Sequence, residues 1–89
     1  GVQGLMADVT LYSTGWCPFC VRAKRLLAGK GARVHEIDVD REPEARREMM
    51  ARSGRRTVPQ IWIGDRHVGG CDELFALERT GELDDLLAG

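Results

Sequence analysis

Two cysteines three residues apart, in Cys17-Pro18-Phe19-Cys20, can close a small disulfide and reopen it. The same spacing also supplies half of a zinc site, so neighbouring residues must separate the two chemistries. Val9 to Tyr12 reads as a short strand, Ser13 to Trp16 as a loop, and Pro18 to about Ala28 as a helix with Ala23, Leu26 and Leu27 facing inward. The pair therefore sits where a strand hands over to a helix, which favours redox use, and exposed loop cysteines flanked by Trp16 and Pro18 are poor core material. Pro18 suits the first helical turn, where its missing N–H would have gone unpaired anyway. The unpaired amides and positive dipole end there favour the Cys17 thiolate over its thiol. Cys17 is the expected nucleophile. Cys20, one turn further in and less exposed, is the expected resolving thiol.

Two further stretches could face that pair. In Thr57-Val58-Pro59-Gln60, leading into Ile61-Trp62-Ile63, a proline opening a central strand belongs at its first position, and a cis Val58-Pro59 bond is expected. Val58 would then offer its backbone N–H and C=O to whatever lies before the cysteines. Gly69-Gly70-Cys71-Asp72-Glu73 opens a helix: its glycines let backbone approach a ligand, and its free amides form an anion site. Asp72 and Glu73 also complement the helix dipole, which alone could explain them.

The elements that must position these groups follow in order. Gly29-Lys30-Gly31 stops the first helix, and Arg33 to Val39 is a second strand; a crossover of this length makes the two strands parallel and the connection right-handed. Glu42 to Ser53 reads as a helix with Ala45, Met49 and Met50 inside and Glu44, Arg46, Arg47 and Glu48 on a solvated face. Gly64-Asp65 suits a tight hairpin turn before a strand from Arg66 to Val68. Leu74, Phe75 and Leu77 are the apolar residues of the next helix, and Leu83, Leu86 and Leu87 mark a last short one after Gly81. The order β-α-β-α-β-β-α gives an α/β fold of thioredoxin-like arrangement: a four-stranded mixed sheet, two parallel strands plus an antiparallel hairpin, flanked by helices.

Composition bounds the rest. Eighty-nine residues with 43% hydrophobic and 30% charged content suit one domain with a real core. A net charge of −1 argues against a nucleic-acid surface, and no apolar run approaches the ~18 residues of a membrane span. Residues 1–5, ahead of Met6, read as a remnant of expression cloning, with residues 6–89 a single domain and no signal peptide. Three cysteines, two of them spaced as an active pair, suit a reducing cytoplasm.

Taken together, these three stretches resemble the glutaredoxin family, in its dithiol class and small bacterial type, over essentially everything from Met6 onward. The resemblance implies a glutathione site. The residue matching Cys17 attacks a disulfide and carries the mixed disulfide with glutathione, those matching Thr57, Val58 and Pro59 pair with the glutathione backbone, and those matching Gly70, Cys71 and Asp72 hold the γ-glutamyl end. Two departures stand out: Thr14 where many members carry a lysine, which leaves Arg22, Arg55, Arg56 or another cation to substitute, and Phe19 where tyrosine is common. Thr14 and Phe19 are still counted among the glutathione-facing residues.

The reaction implied is thiol–disulfide exchange on protein disulfides and glutathionylated proteins, with glutathione as cosubstrate, glutathione reductase acting indirectly through it, and no metal. A monomer is expected, with no nucleic-acid or membrane partner. Competing readings are a thioredoxin-like carrier reduced by a flavoprotein, a homodimeric iron–sulfur scaffold ligated by glutathione, and a zinc site from Cys17, Cys20, Cys71 and His67. Cys71 is read as a small residue shaping the cleft, with oxidation or intermolecular bridging as alternatives. His35 and His67 are read as solvated or packed side chains.

Overall fold

Alternation along the two central strands decides the architecture. In β1 (Val9–Ser13) Val9 and Leu11 point to one side and Tyr12 to the other; in β3 (Gln60–Ile63) Ile61 and Ile63 join the first side and Trp62 the second. Each side of the sheet must therefore be covered. The computed structural model, which describes residues 7–89, shows how; the expectation of a cloning remnant at 1–5 and a start at Met6 lies outside the described residues.

Val9, Leu11, Ile61 and Ile63 pack against Ala23 and Leu27 of α1 (Pro18–Gly29), Leu74 of α3 (Cys71–Thr80), and Leu83 and Leu87 of α4 (Glu82–Leu87). Burying each of these Val, Leu and Ile side chains contributes about 1.5–3 kcal/mol before ordering costs. On the opposite side Tyr12 and Trp62 meet Met49 of α2 (Pro43–Ser53) and Val39, which follows β2 (Val34–Asp38). The Tyr12 hydroxyl donates to Glu48 Oε1 at 3.0 Å, so Glu48, on the solvated face of α2 as expected, also takes the one polar tip of this cluster.

The sheet order is β2-β1-β3-β4, with β4 at Arg66–Gly69. β1 and β2 are parallel, while β1–β3 and β3–β4 are antiparallel, as the β-α-β unit and hairpin require. Gly64 takes a positive φ of 59° in the two-residue turn, and a register shift between Ile61 and Trp62 bends the hairpin. Element ends differ from expectation by a residue or so. β2 stops at Asp38, although the Val39 N–H still donates to Ser13 O at 2.9 Å, and α2 begins at Pro43 because Pro suits the first helical position and leaves Glu42 as cap.

One polar tie fixes the end of β1 from which the Cys17 loop departs. Buried Ser13 donates through Oγ to Glu36 Oε2 at 2.7 Å, and Lys24 of α1 reaches the same oxygen at 3.0 Å. These bonds hold the Glu36 carboxyl below its usual range, the Ser13 hydroxyl contributing most.

Candidate functional site

Cys17 caps α1 with extended backbone, φ −154° and ψ 100°, and its Sγ accepts the Cys20 N–H at 3.2 Å. A sulfur thus fills the role that a serine oxygen plays at ordinary helix starts. Contrary to the expected exposed loop, Cys17 is only 8% exposed and Cys20 only 2%; Trp16 and Phe19 are the exposed neighbours. Cys20 is pushed up to about 12, first by burial and then by its hydrogen bond to Cys17 and the charge there, against a smaller opposing effect from the Thr14 backbone and Lys24.

Across from the helix start, the Cys17 thiol donates to Val58 O at 3.8 Å. The Val58-Pro59 bond is cis, and Pro59 is buried at the foot of β3. A cleft of about 240 Å³ opens here. Phe19 walls it from α1; Thr57, Val58 and Pro59 line it from the segment before β3; Gly70, Cys71 and Asp72 line it from the start of α3. Seven of the eight expected binding residues therefore come together beside the cysteine pair.

Thr14 is the exception. It does not line the cleft, because its short side chain folds back on its own loop and donates to Trp16 O at 3.3 Å. Of the cations named as its substitutes, Arg55 lines the cleft, whereas Arg22 stacks over the Phe75 ring at 5.2 Å.

Glu73 also lines the cleft and was not expected there as a site residue. Its Oε1 accepts the Gly70 N–H at 2.7 Å and an Arg55 Nη1 hydrogen at 2.9 Å, pinning Arg55 to the rim. The two contacts keep the Glu73 carboxyl below its usual range, the Gly70 amide contributing most. Glu73 at the third helical position thus makes the half of a capping box that a glycine N-cap leaves available, its carboxylate reaching back to the N-cap amide. It also corrects the expected anion site: the Gly70 amide is committed to Glu73, so the amides of Cys71 and Asp72 remain for a ligand. Gly69, with φ 112°, serves this cap directly, since a Cβ there would lie 2.5 Å from Glu73 Oε1.

Cys71 is buried in the cleft wall and its thiol is pushed up, mainly by burial. His67 is turned away, stacked on Trp62 with its Nε2 2.7 Å from Gln60 Oε1. Among the described residues no three His, Cys, Asp or Glu side chains gather as a metal site would need, so the tetrahedral set with His67 is not assembled.

Chemically, the arrangement pairs a sulfur at a helix start with a second, proton-holding sulfur, beside a cleft that carries the first amides of α3 and a guanidinium. The model of the Glutaredoxin family matches residues 9–68. A glutaredoxin of Pseudomonas aeruginosa is 57% identical over 83 residues, covering 93% of this chain and 99% of that protein. The solution structure of a Brucella melitensis glutaredoxin superposes with a TM-score of 0.83 at 59% identity, covering 96% of this chain and 92% of that one. A crystal structure of a buckwheat glutaredoxin–glutathione complex gives 0.84 at 33% identity, covering 97% and 83%. The shared fold thus comes with sequence identity across nearly the whole length of its bacterial relatives, and the chain belongs to the glutaredoxin family.

Proposed function

We propose that this glutaredoxin is a glutathione-dependent thiol–disulfide oxidoreductase acting on protein–glutathione mixed disulfides and protein disulfides. The observation that carries the reading is the cleft bordered by Val58, whose carbonyl meets the Cys17 sulfur, and closed by the start of α3. A tripeptide laid along Thr57–Pro59 would place one carboxylate at the free amides of Cys71 and Asp72 and the other near Arg55. Asp72 would meet the γ-glutamyl ammonium. The glutathione bound in the buckwheat relative supports the same ligand class.

The Cys17 thiolate attacks the glutathione sulfur of a mixed disulfide; the S–S bond breaks, the substrate leaves as thiolate, and Cys17 becomes glutathionylated. A second glutathione thiolate attacks that glutathione sulfur, releasing Cys17 and oxidised glutathione. With a protein disulfide, Cys17 forms the mixed disulfide and Cys20 then attacks the Cys17 sulfur. The protein thiolate leaves, and two glutathiones reduce the Cys17–Cys20 bond. Binding glutathione in place turns its attack into a positioned step. This reading places the protein in the cytoplasm as a monomer, with glutathione reductase regenerating its cosubstrate.

The test is reduction of a small glutathione mixed disulfide, coupled to glutathione reductase and NADPH, for the unmutated chain, Cys17→Ser and Cys20→Ser. Activity lost in Cys17→Ser and kept in Cys20→Ser is the expected result. An unmutated chain inactive with glutathione but turned over by a thioredoxin-type flavoprotein reductase would replace the reading with that of an electron carrier.

A further inference from the structure

We propose that Gln60 and His67 are positioning residues that aim the Thr57 hydroxyl as a hydrogen-bond donor into the cleft, toward an acceptor oxygen of the bound tripeptide. This rests on the glutathione reading above. Gln60 is fully buried at the start of β3, where an unpaired amide would be costly. Its Nε2 donates to Thr57 Oγ1 at 3.2 Å, and its Oε1 lies 2.7 Å from His67 Nε2 on β4.

The polarity of the chain follows from donor counting. Gln60 Oε1 can only accept, so His67 Nε2 carries the proton. Thr57 Oγ1 accepts from Gln60, which leaves its single hydrogen to donate elsewhere, and Thr57 lines the cleft. Were the Gln60 amide turned over, Thr57 would spend its hydrogen inward and His67 would need the opposite tautomer. The two arrangements thus present the ligand with opposite hydroxyl polarity.

Packing holds the far end. The His67 ring stacks on Trp62 at 4.6 Å and 30°, Trp62 meets the Tyr12 ring edge at 5.4 Å, and the Arg52 guanidinium sits 4.5 Å from the Trp62 ring centre. Burial, followed by the charge of Arg55, disfavours the imidazolium; Arg52 acts the same way and Glu73 opposes them. These effects favour the neutral ring, and the contact with Gln60 Oε1 selects its tautomer.

Two measurements test the relay. Long-range proton–nitrogen NMR on the labelled full chain at neutral pH should show His67 as the Nε2–H tautomer; the Nδ1–H tautomer would overturn the proposal. In the glutathione-coupled assay, Thr57→Val and His67→Phe, the latter keeping an aromatic ring on Trp62, should each raise KM for glutathione by about twofold to tenfold, the size of one hydrogen bond, with little of the loss in kcat. The double variant should be no worse than Thr57→Val alone. Effects that multiply, or an unmoved KM in His67→Phe, would overturn the relay. An unmutated chain without glutathione turnover would overturn the reading of the cleft instead, while the tautomer still decides the relay.

Discussion

Cys20 must keep its proton while Cys17 is free and lose it once Cys17 is in a mixed disulfide, and the geometry supplies a means. Its pKa of about 12 has burial as first cause and the hydrogen bond and charge of Cys17 as the next two. Forming a disulfide at Cys17 removes the charge; burial stays, because Cys20 is 2% exposed. At pH 7 a thiol at about 12 is ionised in about one molecule in 10⁵, against about one in 10² at the ordinary 9.0. Since burial persists and is the largest cause, removing the Cys17 charge should recover only part of that interval. Cys17→Ser mimics the loss of charge in a stable protein. Titrating carbon-13-labelled cysteine Cβ signals by NMR should place Cys20 in Cys17→Ser below its position in the reduced unmutated chain, by less than the full interval between about 12 and 9.0. Coincident titrations would refute the idea that Cys17 holds the Cys20 proton in place.

Gly69→Ala should destabilise the fold by about 1–3 kcal/mol, through positive φ and the clash with Glu73, read as a urea midpoint; a change under about 0.5 kcal/mol would count against the cap. Arg55→Gln should raise KM for glutathione about threefold to tenfold at low salt and less at high salt, and an unchanged KM would remove Arg55 from the site. Cys20 titrates higher folded than unfolded, so its contribution to stability is whole below 9.0 and lost as pH rises from 9.0 through about 12. Reduced chain should therefore melt lower at pH 10.5 than at pH 7.5, with a smaller drop in Cys20→Ser; equal drops would contradict this.

Much of the site was legible because its signals are local. A proline after Cys17, a proline at the foot of β3 and a glycine pair before α3 each act on their own backbone, so the helix starts and strand entry followed from sequence spacing. Arg55 and Glu73 were harder. The bond between them joins positions eighteen apart, and only the return of α3 beside the segment before β3 brings them together. Thr14 shows the converse: its matching position pointed to the cleft, while its hydroxyl turned back to donate to Trp16 O.

The sequence by itself determined the strand and helix order, the two-sided burial of β1 and β3, and the C-x-x-C pair at a helix start, since periodicity and backbone chemistry are short-range. Tertiary structure decided which polar groups meet. Gln60 lies between His67 and Thr57, exposed Glu48 accepts from the Tyr12 hydroxyl, and Glu73 takes the Gly70 amide at the helix start where a ligand was expected. For buried Gln60 and Tyr12 such partners are chosen by burial, where every donor and acceptor must be matched by whatever the packed chain brings within about 3 Å.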